Sequence, residues 1–121
     1  SMILHINTKD QKKVVVSLKK DTEVVSELFE ENRFGSQVLL PLIIKLLKRM
    51  HKPGLVIQNQ TGIVHWKNLE GIEVETGPGS FTGLRVGVAV ANALGFSLGL
   101  PVNGKRMETN LIYQKFKNKD L

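Results

Sequence analysis

The stretch that most constrains this chain runs from Thr76 to Gly87 and reads Thr-Gly-Pro-Gly-Ser-Phe-Thr-Gly-Leu-Arg-Val-Gly. Gly77, Pro78 and Gly79 can neither extend a strand nor sit cheaply inside a helix, so they mark a tight turn. The apolar alternation from Leu69 to Glu75 ahead of the turn predicts a strand, and the apolar run behind it predicts a helix from Ser80 to about Leu98. Ser80 is the natural N-cap, because its hydroxyl can accept a backbone N–H that the first turn leaves unpaired. Within that helix Gly83, Gly87, Ala91, Gly95 and Gly99 recur every four residues and form one ridge of small side chains. Each internal glycine costs up to about 1 kcal/mol relative to alanine. The ridge therefore calls for a close neighbour, either the chain's own sheet and first helix or a second molecule.

A glycine-rich turn at a helix start also suits an anion, since backbone N–H groups and the helix dipole converge there. Gly77, Gly79, Ser80 and Thr82 are the candidate anion-binding residues, with a simple capped turn as the alternative. No phosphate-loop lysine follows, and the glycine spacing is not that of a dinucleotide fingerprint. Other chemistries are thinly supported. There is no cysteine, and His5, His51 and His65 are far apart with no His-x-x-x-His spacing, so no metal site is expected. His5 lies in an apolar strand and reads as a structural histidine. Ser80 follows a glycine directly, which is offset from the Gly-x-Ser-x-Gly of a serine hydrolase.

The rest of the chain supplies an α/β order. Met2 to Thr8 and Lys13 to Leu18 read as strands around a polar turn at Lys9, Asp10 and Gln11. Asp21 to Phe34 is ambiguous: Asp21 can cap a helix that groups Val24, Val25, Leu28 and Phe29 on one face. Ser36 opens a helix to about Met50 that is apolar over more than one side, which calls for a second burial partner. Pro41 within it is expected to remove one hydrogen bond and bend it slightly. Lys52-Pro53-Gly54 stops that helix, Leu55 to Trp66 suggests a hairpin, Pro101 to Asn103 a short strand and Glu108 to Lys117 a last helix.

A chain of 121 residues, 41% of them hydrophobic, makes one domain, here residues 2–121, with Ser1 read as a remnant of tag removal. The run Phe81 to Leu100 reaches the length of a membrane span, but Arg85, Asn92 and its glycines favour a buried helix. The net charge of +6 admits a polyanionic partner. Lys9, Lys12, Lys13, Lys19 and Lys20 form one cluster, and Lys105, Arg106, Lys115, Lys117 and Lys119 another. Neither is interleaved with several aromatics, so a solvated surface is the simpler reading.

The string Gly77 to Gly87 resembles the Gly-Pro-Gly-Ser-Phe-Thr-Gly-Leu-Arg-x-Gly segment of the TsaB/YeaZ family, which acts in bacterial synthesis of threonylcarbamoyladenosine in tRNA. Met2 to Thr8 is similar to the family's first strand, Ser36 to Ile43 to its first helix and Leu100 to Gly104 to the strand after its second helix. Asn7 stands where the family has an acidic residue, and Gly35 where it has a histidine. The resemblance covers the N-terminal lobe of proteins about twice this length. It implies a single lobe of the actin/Hsp70-like (ribonuclease H-like) fold, α/β with a mixed sheet in the order βββαβαβ(α), and so a third strand at Thr22 to Glu30.

The resemblance also implies a non-catalytic, cytoplasmic scaffold or activator of a TsaD-type enzyme acting at adenosine 37 of tRNA, with a TsaE-type ATPase as a further component. A homodimer is expected when the chain is alone, tRNA is contacted only indirectly, and no membrane is involved. The expected partner or dimer interface is Leu39, Leu40, Ile43 and Leu47 on the first helix with Gly83, Gly87, Ala91 and Gly95 on the second, whose start Arg85 anchors electrostatically. No cofactor is expected beyond weak ATP with magnesium. The rival readings are a nucleotide-binding or ATPase module using the glycine-rich turn and a small basic RNA-binding protein, whose affinity would fall steeply with salt.

Overall fold

The computed structural model describes residues 2–10, 12–31, 38–49, 69–109 and 111–112. Three antiparallel strands come first: β1 (Met2–Asn7), β2 (Lys13–Lys20) and β3 (Glu23–Glu31). Helix α1 (Leu39–Arg49) precedes β4 (Leu69–Val74), which lies parallel to β1, and α2 (Phe81–Leu98) follows. The sheet order is β3-β2-β1-β4. Leu4 and Ile6 of β1 oppose Leu18 and Val16 of β2 on one side and Ile72 and Val74 of β4 on the other. Alternation with period two puts these residues on one face, and α1 and α2 cover that face in a single core. Each buried leucine, isoleucine or valine contributes about 1.5–3 kcal/mol.

Glu23–Glu31 is strand, as the family resemblance implies for this stretch, and not helix. Leu18 opposes Ser26 while Lys19 opposes Val24, so Val25 is an extra residue without a partner. This bulge breaks the alternation and sets Val24 and Val25 side by side, which imitates a helical face in the sequence. Helix α1 begins at Leu39, and its first intrahelical bond runs from Leu42 N–H to the Val38 carbonyl. Pro41 thus falls among the positions whose N–H has no helical partner in any case, and its ring removes no hydrogen bond. Ser36 and the Leu55 to Trp66 hairpin lie outside the described residues.

Pro101 to Asn103 forms only a bridge, Val102 pairing in parallel with Ile72. The chain turns at once through Asn103 (φ 54°) and Gly104 (φ 76°), and Val102 and Lys105 exchange both backbone hydrogen bonds, 2.7 and 3.0 Å. This is the Asn-Gly hairpin chemistry that positive φ at two successive residues demands. Glu108, Thr109, Leu111 and Ile112 are not helical. Their backbone is committed elsewhere, for Ile112 N–H bonds the Thr76 carbonyl at 2.7 Å and Glu108 N–H bonds the Asn92 side chain at 2.8 Å.

Candidate functional site

The Gly77–Gly79 turn joins β4 to α2 against the end of β1. Ser80 caps α2 as its position predicts, accepting from Gly83 N–H at 3.2 Å. The glycines serve close approach. A Cβ on Gly77 would strike the Ile112 carbonyl, and one on Gly79 would stand 2.8 Å from the Lys9 carbonyl oxygen. Ser80 N–H donates to that same Lys9 carbonyl at 2.9 Å. Of the candidate anion residues, Gly77, Gly79 and Ser80 are therefore engaged by their own chain, while Thr82 is exposed. Glu75, immediately before the turn, adds negative charge that disfavours an anion. The Asn7 side chain accepts from Lys9 N–H at 3.1 Å and shapes the bend after β1.

The small-residue ridge faces inward, so its placement corrects the expectation of an open interface there. Gly83, Gly87, Ala91 and Gly95 are all buried. A Cβ at Gly83 would meet the Thr8 carbonyl, one at Gly87 the Thr8 hydroxyl, and one at Gly95 Val102 Cγ2 at 2.6 Å. Thr8, itself 1% exposed, donates its hydroxyl to the Gly83 carbonyl at 2.5 Å and pins the helix to the end of β1. Gly99 does different work, capping α2 at φ 70° with its N–H on the Gly95 carbonyl. Leu39, Ile43 and Leu47 likewise lie in the core, so within the expected α1 set only Leu40 reaches solvent, at 42%.

The surface available to a partner is the outer side of the same helices. On α1 it comprises Leu40 and Ile44, beside a groove of about 500 Å³ that also involves Val38, Pro41 and Glu30 of β3. On α2 it follows Phe81, Arg85, Ala89 and Ala93, all exposed. The Arg85 guanidinium lies 5.2 Å from the centroid of the Phe81 ring, a cation–π contact that orients the start of the helix. By length and composition α2 could cross a bilayer, but it buries Gly83, Leu84, Gly87, Val88, Ala91 and Gly95 within this fold.

Two polar clusters escaped the sequence reading. On the sheet face away from the helices, His5 bonds Glu73 through Nδ1 and Glu75 through Nε2, each at 2.9 Å. Lys19 reaches Glu73 at 3.3 Å and Lys9 reaches Glu75 at 3.5 Å. Hydrogen bonding from His5 holds the Glu73 carboxyl below its ordinary value, helped by Lys19 and opposed by burial. The second cluster lies beyond β4. Asn103 gives its side-chain amide to the Val74 carbonyl and accepts from Val74 N–H, at 3.1 and 2.8 Å. It also donates to Glu108, which is 4% exposed and binds Lys105 at 2.9 Å. Asn92 clasps the Glu108 backbone with both amide atoms. The Asn103-Gly104 pair was the sequence signal for this cluster; nothing local announced the first. Among the described residues no three histidines, cysteines or carboxylates are grouped to hold a metal ion.

The family model for TsaD, tRNA N6-adenosine threonylcarbamoyltransferase, matches residues 36–115. A tRNA N6-adenosine threonylcarbamoyltransferase of Tropheryma whipplei is 37% identical over 83 residues, which are 68% of this chain and 20% of that protein. An uncharacterized protein of Mycobacterium leprae is 58% identical over 36 residues, 30% of this chain and 10% of that protein. Among solved structures, YeaZ from Pseudomonas aeruginosa matches with a TM-score of 0.64 and 27% identity, over 84% of this chain and 42% of that one. The chain thus spans a fifth of the first relative and less than half of the structural neighbour.

Proposed function

This chain belongs to the tRNA N6-adenosine threonylcarbamoyltransferase (TsaD) family, and on that premise we propose that it serves tRNA threonylcarbamoyladenosine synthesis as a non-catalytic, YeaZ-like partner of a TsaD-type enzyme. The observation that carries this reading is the pairing of a TsaD sequence match with a YeaZ-like lobe. Among the described residues, Lys9 and Ile112 of the same chain stand against the glycine turn, and the outer faces of the helices are the surface left for a partner. Leu40, Ile44 and the Phe81–Ala93 side of α2 are its docking surface, for the partner or for a second copy of the chain. We place it in the cytoplasm, with a TsaE-type ATPase as a further component.

Nucleotide plays a minor part in this reading. A neutral Asn7 and a turn filled by Lys9 and Ile112 leave ATP with magnesium few contacts, since nucleotide clefts bury most of their ligand. The deciding experiment is capture of the TsaD-type protein of the same organism by the tagged chain, with calorimetry of magnesium-ATP alongside. Retention of the partner with no measurable heat is expected. Failure to retain it, or ATP binding at micromolar strength, would sink the scaffold reading and favour a nucleotide-binding module.

A further inference from the structure

We propose that the cleft at the C-terminal end of α2 binds single-stranded RNA, with an unstacked base on the Phe96 ring and the backbone phosphate at Arg106. Phe96 is 90% exposed, the most exposed of the large apolar side chains among the described residues. It borders a cleft of about 520 Å³ shared with Gly99, Pro101, Gly104, Lys105 and Arg106. That volume is within the range of small-ligand sites. Gly99 and Gly104 have open space where a Cβ would stand, so a planar ligand can approach the backbone there.

The electrostatics choose between occupants. Among the described residues no carboxylate lines the cleft. Glu108 is nearby but turned inward at 4% exposure, where it takes up the charge of Lys105. Arg106 is exposed, with no ion pair among the described residues, and the chain as a whole carries +6. A bare aromatic face beside an unpaired guanidinium suits a base and its phosphate, because stacking tolerates any base and the cation supplies the backbone contact. An apolar protein anchor would leave Arg106 without a counter-charge. Duplex RNA keeps its bases stacked and cannot cover the ring, so the site selects single strands. The chain's order hides the site: Phe96 is ten positions before Arg106, and the Asn103-Gly104 turn brings them to one cleft.

The inference does not depend on the partner reading, and its test has a separate readout. Fluorescence anisotropy of a labelled eight-nucleotide oligoadenylate, and of a duplex of equal length, is measured with the whole chain. Phe96→Ala is expected to weaken binding of the single strand by about five- to a hundredfold, with Phe96→Trp retaining it. Arg106→Gln is expected to reduce the dependence of log affinity on log salt by about 0.7, the share of one single-strand phosphate. Circular dichroism checks the fold, which an exposed ring does not support. Absence of binding by the parent, equal affinity of Phe96→Ala, or equal affinity for the duplex each overturns the proposal. So does a Phe96→Ala chain that loses the TsaD-type partner while keeping the oligonucleotide, which would assign the ring to protein docking.

Discussion

Thr8 occupies the space that a side chain at position 87 would need. A methyl group there meets the Thr8 hydroxyl, which is itself committed to the Gly83 carbonyl. Gly87→Ala is expected to destabilise by about 1–3 kcal/mol through overpacking, against a helix-propensity gain of at most about 1 kcal/mol. Adding Thr8→Ala opens the space, so urea unfolding of the double variant should show a cost below the sum of the two single ones. Strict additivity would mean that the two positions do not touch. Glu73 makes a different kind of prediction. Its carboxyl titrates below the ordinary 4.5 because His5 and Lys19 favour the ionised form. A depressed folded-state value gives stabilisation that is complete above the unfolded titration and is lost as pH falls through the folded one. Glu73→Gln should therefore lower stability at about pH 7, and the gap to the parent should narrow as the pH falls through the depressed titration of Glu73. A gap that does not change with pH would show that the charge contributes nothing.

At the scale of elements, the Asn103 side chain stands in for a peptide group. It satisfies the N–H and the carbonyl of Val74, where a full fifth strand would otherwise lie. Asn103→Gly keeps the positive φ but removes the amide, and leaving buried partners unmet costs about 1–3 kcal/mol. Thermal unfolding should register that loss, and an unchanged midpoint would show that water replaces the side chain at no cost. Strands β1, β2 and β4 and the capped start of α2 were legible because their periods are regular and Ser80 has a local job. β3 was not, because the bulge at Val25 disturbs its alternation, and the family resemblance supplied what the pattern lacked. The His5 cluster was illegible for another reason. Glu73 and Glu75 reach His5 only because β4 pairs in parallel with β1, a register set by tertiary structure. The ridge on α2 does demand close approach, but the expected neighbour was a partner molecule, and the structure puts Thr8 and Val102 of the same chain there instead.

For the whole molecule, the two helices share one side of the sheet and present Leu40 and Ile44 outward. Replacing both with aspartate is expected to leave the fold intact, since neither belongs to the core, and to abolish, in size-exclusion chromatography, the self-association proposed for the chain. A dimer that survives the double substitution would move the contact off α1. The parallel pairing of β1 with β4 also has a consequence for how the molecule is made. Met2 must wait for Leu69. At about 5–20 residues per second, roughly 3 to 13 seconds of synthesis separate them. During that time the β1–β3 meander can form, because its contacts are local, while Leu4 and Ile6 of β1 have neither β4 nor α2 to complete their cover. The nascent chain is therefore most exposed to misassociation before its second half emerges. Holding it back from other nascent chains in that interval should matter more to its yield than the final stability of the lobe.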